Sequence, residues 1–180
     1  VGIDHNETNI ADVLAVEKKV FQVKPDIVVN VAAYNKVEEA ERDVAIAYQV
    51  NALGPYHIAR AAFMLGIPIL HMSTDYVFPG TKKNGYTEDD ETCPQNVYGA
   101  SKEAGEKLVR IANPKHWIVR TSALFGIHAG NGKGGSKGYN FVTQMLARAK
   151  EIKDVKEGSE IRMVSDQWTV PTYTLDLANG

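Results

Sequence analysis

Cysteine is almost absent: Cys93 is the one cysteine in 180 residues. That excludes an internal disulfide framework and fits a reducing, cytoplasmic compartment. Cys93 precedes Pro94 in a polar stretch with no base beside it, so it reads as a plain loop cysteine. An excess of one charge is also missing. With 20 basic and 22 acidic side chains and a net charge of -2, no electrostatic footprint for nucleic acid or an anionic membrane is present. No apolar run reaches membrane-spanning length, and no basic-then-apolar signal region is found at the N-terminus. His5, His57, His71, His116 and His128 are scattered, without helix-face spacing beside a carboxylate, which predicts no metal centre. A P-loop fails as well. The one Gly-Lys step, Gly132-Lys133, has Ile127 in place of the first glycine and Gly134 in place of the hydroxyl. The glycine-rich stretch from Gly126 to Gly138 reads instead as a surface loop near the mouth of a site.

What remains is an ordinary globular composition, 44% hydrophobic and 23% charged, long enough for one domain with a sizeable core. Short apolar runs alternate with helical patterns. That alternation predicts an α/β fold with a doubly wound, Rossmann-type, mostly parallel sheet. Asp12 is placed to cap a helix whose Val13, Val16, Val20 and Val23 follow 3-4-3 spacing. Ile27 to Val31 reads as a buried strand, with Ala32-Ala33-Tyr34-Asn35 a small-residue loop at its carboxyl end. A helical region from about Val37 to Leu65 is expected to break near Gly54-Pro55 and to end at Gly66. Its run of Glu38, Glu39, Glu41 and Asp43 suits a solvated face. Further strands are expected at Ile67–Ser73, Trp117–Arg120 and Ile161–Val164. Further helices are expected from Tyr98 to about Ala112, from Asn140 through Phe141, Met145, Leu146 and Ala149, and beginning at the Asp176–Gly180 end.

The residues with the most chemical content lie between Ser73 and Lys102. Tyr98 and Lys102 are one helical turn apart on one face. A phenol titrates near pH 10, and an adjacent ammonium is expected to lower that value toward the range of a working acid or base. Thr74, at the end of the Ile69 strand, falls where open α/β sheets bind their ligands. Its hydroxyl is suited to hold a substrate oxygen beside Tyr98 while a cofactor carries hydride. Tyr-x-x-x-Lys alone is common on exposed helices; the strand-end hydroxyl before it is what gives the pair weight.

Several segments in order resemble one family: Asn30-Val31-Ala32-Ala33-Tyr34, Asn51-Ala52-Leu53-Gly54, Ser73-Thr74-Asp75-Tyr76-Val77-Phe78-Pro79-Gly80, Tyr98-Gly99-Ala100-Ser101-Lys102-Glu103-Ala104-Gly105-Glu106, Arg120-Thr121-Ser122, Asn140-Phe141-Val142 and Asp166-Gln167-Trp168-Thr169-Val170-Pro171-Thr172. The chain thereby resembles the dTDP-4-dehydrorhamnose reductases of the extended short-chain dehydrogenase/reductases over nearly its whole length. The resemblance implies reduction of the C4 ketone of dTDP-4-dehydro-L-rhamnose by NADPH (or NADH). It implies Tyr98 as proton donor, Lys102 as the residue that lowers its pKa and holds the nicotinamide ribose, and Thr74 as the hydrogen-bond partner of the substrate carbonyl. Asp75, Tyr76 and Ala123 are implied at the sugar, and Asn9, Ile10, Ala32, Ala33 and Tyr34 along the cofactor. Asn51 matches an asparagine near the active-site helix, with a mainly structural role.

The departures are specific. Asn9-Ile10 stands where an Asp-Ile pair is usual, and Ala123 where many members carry tryptophan. The family opens with a strand and a Gly-x-x-Gly-x-x-Gly turn that holds the pyrophosphate at a helix N-terminus. No such turn opens this chain, so a first βαβ unit of roughly 30 residues and the C-terminal end are expected to be missing. Residues 1–180 are accordingly expected to form one NAD(P)-binding domain, with about 123–180 contributing to substrate binding. A related nucleotide-sugar epimerase or dehydratase shares the Tyr/Lys pair, although the single acid of Thr74-Asp75-Tyr76 favours a reductase. A non-catalytic NADP-binding subunit, similar to the β subunit of methionine adenosyltransferase, is the alternative from another class. The expected partner is a nucleotide sugar, with neither nucleic acid nor membrane, and a homodimer is left open.

Overall fold

The computed structural model describes residues 1–126, 145–151, 160 and 169–180. The expected glycine-rich loop beyond Gly126, the Asn140 cap with Phe141, the Ile161–Val164 strand and Asp166-Gln167 lie outside the described residues. The chain divides into two compact units, Val1–Arg120 and Thr121–Gly180.

The first unit is an α/β layer built in chain order. Helix α1 spans Val13–Val23, and the Asp12 carboxylate accepts from the Leu14 and Ala15 amides at 3.0 and 3.1 Å. This is the N-cap that its position predicts. Lys24 closes α1 in the left-handed region at φ 48°, and Pro25 prevents continuation. Strand β1 (Val28–Asn30) pairs in parallel with β2 (Ile69–Thr74) in the register Val28↔Ile69 to Asn30↔His71. Strand β3 (His116–Thr121) flanks β2 on its other side, giving the order β1-β2-β3. The core gathers Val16 of α1, Ile58, Ala59 and Ala61 of α4 (Gly54–Met64), Ile69 of β2 and Val109 of α5 (Val97–Ala112).

Two expectations change. Ile27 to Val31 is not a fully buried strand: Val29 is 55% and Val31 72% exposed. Among the described residues β1 is an edge strand, so its alternate side chains lack a covering layer. The long helical region is not one helix broken at Gly54-Pro55. It consists of α2 (Val37–Ala40), α3 (Val44–Tyr48), a π-helical turn at Gln49–Leu53 and then α4. Pro55 falls in the first turn of α4, directly after the π-helical turn, where the Gly54 amide reaches back to the Gln49 carbonyl. The wide turn before it supplies the break.

Between Phe78 and Asn96 the chain folds around Tyr86, whose ring stacks on Phe78 at 4.3 Å. The Tyr86 hydroxyl accepts from the Thr81 and Lys82 amides at 2.8 and 3.1 Å. Gly80 and Gly85 supply the left-handed residues at φ 74° and 79°. In the second unit the described residues include a short parallel pair, β4 (Leu124–Phe125) and β5 (Thr172–Tyr173), together with helical residues 145–151 (α6) and helix α7 (Thr174–Asn179). The β4–β5 pair has no counterpart in the sequence reading, because two residues are too few to show a period.

Candidate active site

Thr74 is the last residue of β2 and passes into a 3₁₀ turn, Asp75–Val77. Its hydroxyl accepts from the Tyr76 amide at 3.2 Å and donates to the Asp75 carboxylate at 3.1 Å, so the side chain is fixed by its own turn. Helix α5 begins under two caps. The Asn96 side chain accepts from the Gly99 amide at 2.7 Å, and the Glu41 carboxylate accepts from the Val97 amide at 2.8 Å. Tyr98 sits in this doubly capped first turn, and Lys102 follows on the same face one turn later.

Two glycines let α5 approach its neighbours. A Cβ on Gly99 would stand 2.2 Å from the Tyr76 carbonyl oxygen, and one on Gly105 would stand 2.1 Å from the Asn51 carbonyl oxygen. Only glycine permits these backbone approaches. They bring Tyr98 beside Thr74, close enough for the Thr74 side chain to act on the Tyr98 phenol. The Tyr76 ring meets the Tyr98 ring edge-on at 5.5 Å.

The electrostatics correct one expectation. Lys102 does not depress the Tyr98 phenol. Burial pushes that phenol above its ordinary value, opposed by the Thr74 hydrogen bond and reinforced by Asp75 and Tyr76. The Lys102 ammonium instead donates to the Met72 carbonyl at 2.5 Å and is 2% exposed. Burial lowers its pKa to about 8, against the opposing pull of Glu106. At neutral pH this leaves a protonated phenol next to a charged lysine.

The loop after β1 is tied to α5 through buried Asn51. Its side chain accepts from the Tyr34 amide at 2.8 Å, donates to the Tyr34 carbonyl at 3.0 Å and donates to Ser101 Oγ at 3.0 Å. Ser101 in turn donates to the Tyr98 carbonyl at 2.8 Å. Ala32 and Ala33 are exposed, with the Ala32 amide held by Asn30 at 3.1 Å. The Tyr34 hydroxyl donates to Asp43 at 2.8 Å, which pushes its pKa up to about 12. Asn9 caps a turn through the Ala11 amide at 3.0 Å, and Ile10 packs on Gly54 and the core. Ala123 belongs to the second unit, in the left-handed region at φ 37°, and its carbonyl accepts from the Thr172 amide at 3.2 Å.

Residues to which the sequence reading gave no role also shape this place. Glu106 is 2% exposed; it accepts from Ser73 Oγ at 2.5 Å and from Arg120 through Nε at 2.9 Å and Nη2 at 2.7 Å. The spacing Tyr98, Lys102, Glu106 at i, i+4, i+8 was the available signal, but only folding supplies Ser73 and Arg120. His71, fully buried, accepts from Asn30 Nδ2 at 3.1 Å through Nδ1, and its Nε2 has no hydrogen-bond partner among the described residues. Burial, followed by the Lys102 charge, lowers its pKa to about 3.

That burial predicts acid sensitivity. His71 titrates near 6.5 when unfolded and near 3 when folded. The unfolded chain therefore binds the extra proton between these values. The stabilisation is complete above pH 6.5 and is lost as pH falls toward 3. Denaturant melts of the wild type and His71→Gln, a change that cannot titrate, are expected to lose stability unequally. Between pH 7 and pH 4 the wild type should lose about 3 kcal/mol more. Parallel pH curves would show that His71 is accessible to protons.

A strand-end hydroxyl, a Tyr-x-x-x-Lys helix held against it and a small-residue loop after the neighbouring parallel strand define an open α/β domain with its polar site at the carboxyl edge of the sheet. The chain belongs to the family described as RmlD substrate binding domain, which it matches over residues 1–180. It is 41% identical over 180 residues to the spore coat polysaccharide biosynthesis protein SpsK of Bacillus subtilis, covering 100% of this chain and 58% of the relative. It is 42% identical over 179 residues to a dTDP-4-dehydrorhamnose reductase of Streptomyces griseus, covering 99% and 54%. The crystal structure of dTDP-4-dehydrorhamnose reductase from Bacillus anthracis in complex with NADP superposes with a TM-score of 0.84 at 38% identity, over 97% of this chain and 57% of that one. The chain thus spans little more than half the length of these relatives.

Proposed function

We propose that the whole protein reduces the 4-keto group of dTDP-4-dehydro-L-rhamnose with NADPH (or NADH), yielding dTDP-L-rhamnose. The observation that carries this reading is the placing of Thr74, at the end of β2, beside the Tyr98 phenol on which it acts, with Lys102 one turn behind on the same helix. The residues present fit a nicotinamide cofactor. Lys102 uses one N–H on Met72, so two remain to hold ribose hydroxyls. Ala32 and Ala33 are short, exposed side chains along which a dinucleotide can lie, and Asn9 and Ile10 are assigned to its adenosine half. When bound, the reduced cofactor supplies the hydride.

Everything else falls to the chain. Thr74 orients the ketone oxygen. Tyr98, kept protonated by its burial, delivers the proton from its Oη as negative charge grows on that oxygen. Lys102 fixes the ribose and balances the phenolate left behind. Asp75 and the half-exposed Tyr76 line the sugar side. Support also comes from the relatives named as reductases and the NADP complex of one of them.

The test is the full-length protein incubated with NADPH and dTDP-4-dehydro-L-rhamnose, followed by loss of absorbance at 340 nm and by product analysis. Cofactor oxidation coupled to a 4-hydroxy sugar is the expected result. NADP binding without turnover would favour the non-catalytic regulatory reading and end this one.

A further inference from the structure

Glu106 sits at a junction that the proton transfer as described leaves unused. Three elements meet there. Glu106 comes from α5, Ser73 from the residue before Thr74 at the end of β2, and Arg120 from β3. The carboxylate is 2% exposed and takes Ser73 Oγ at 2.5 Å and two Arg120 nitrogens at 2.9 and 2.7 Å. Arg120 is in turn fixed over the Phe78 ring at 4.9 Å. A buried carboxylate is costly unless its lone pairs are satisfied, and here three donors satisfy it. Replacing such a pair by apolar residues is often neutral for stability, so stability alone does not account for it.

We propose that Glu106 is a positioning residue for the reaction: clamped by Arg120, it holds Ser73, and with it the Thr74 strand end, against α5, and presents a fixed negative charge one turn behind Lys102. The proposal rests on the reductase reading above. The remaining groups around Lys102 leave this role to Glu106. From β2 comes His71, held neutral by burial; from the 3₁₀ turn, Asp75, which acts on Tyr98; from the π turn, the uncharged Asn51. Of the acids in and between α2 and α3, Glu39 is engaged by Lys36, Glu41 by the Val97 amide and Asp43 by the Tyr34 hydroxyl. Arg120, from β3, is paired to Glu106 itself. Glu106 is the group that raises the Lys102 pKa against burial. Without it, Lys102 loses its charge at lower pH.

The experiment compares Glu106→Gln and Ser73→Ala with the wild type in the full-length enzyme. Two readouts are followed against pH: kcat, and the Lys102 ¹³Cε resonance in labelled protein. Glu106→Gln keeps the shape and one of the two acceptor oxygens but removes the charge. Its alkaline limb of kcat and its Lys102 titration should both move about one unit toward acid. Ser73→Ala should lower kcat about tenfold with the limb in place. A Glu106→Gln limb and Lys102 titration at the wild-type pH would overturn the proposal, and so would full kcat in Ser73→Ala. Should Glu106→Gln fail to fold, Glu106→Leu paired with Arg120→Met is expected to fold and to shift Lys102 in the same direction; an unshifted resonance there counts against the proposal. The resonance needs no turnover. A wild type without reductase activity would therefore sink the functional reading, while the titration still decides whether Glu106 governs Lys102.

Discussion

Replacing Tyr98 by phenylalanine in the full-length protein is expected to reduce turnover about 10²–10⁴-fold while leaving NADPH affinity nearly unchanged. The phenol is 8 residues and two helical turns from Glu106 and belongs to the first turn of α5, fixed by the Asn96 and Glu41 caps. Phenylalanine keeps the ring and its edge contact with Tyr76, so the first turn and the Thr74 turn should stay in place. What is lost is the one O–H that burial holds protonated. A raised phenol pKa suits reduction, because the group must enter the reaction carrying its proton. Single-turnover kinetics and cofactor titration separate the two quantities. Unaltered turnover in the variant would show that the proton comes from another group.

The largest structural effect is expected from Gly105→Ala. The added methyl would stand 2.1 Å from the Asn51 carbonyl oxygen, a backbone atom that cannot rotate away. Alanine is the better helix former by about 1 kcal/mol, yet the clash forces α5 off the π turn, and overpacking of this kind costs about 1–3 kcal/mol or more. The clash is expected to win. The full-length variant should melt about 5 °C lower, and it should lose activity, because Asn51 links the Tyr34 loop to Ser101 of α5. A variant with wild-type melting temperature and activity would mean that α5 tolerates a wider separation there.

The family resemblance named the Thr74, Tyr98 and Lys102 constellation, and local signals found most elements. Asp12 as a cap, Gly66 after α4 and the apolar Ile69 run mark boundaries through contacts within a few residues, where spacing and propensity decide the outcome. The readings that changed depend on partners far away in sequence. Val29 and Val31 have the composition of a buried strand, but their exposure depends on which strands and helices lie beside β1. Pro55 signals a break, but the π turn before it is fitted to α5 across the Gly105 contact.

By itself, then, the sequence determined the α/β class, the strand-end hydroxyl and the Tyr-x-x-x-Lys spacing, because period and local stereochemistry are written residue by residue. The tertiary structure alone decided the electrostatics. Lys102 donates to the Met72 carbonyl, the Tyr98 phenol is raised rather than lowered, and Glu106 is gripped by Ser73 and Arg120, 33 and 14 residues away. Desolvation sets those charges, and desolvation exists only once α5, β2 and β3 have closed around the side chains.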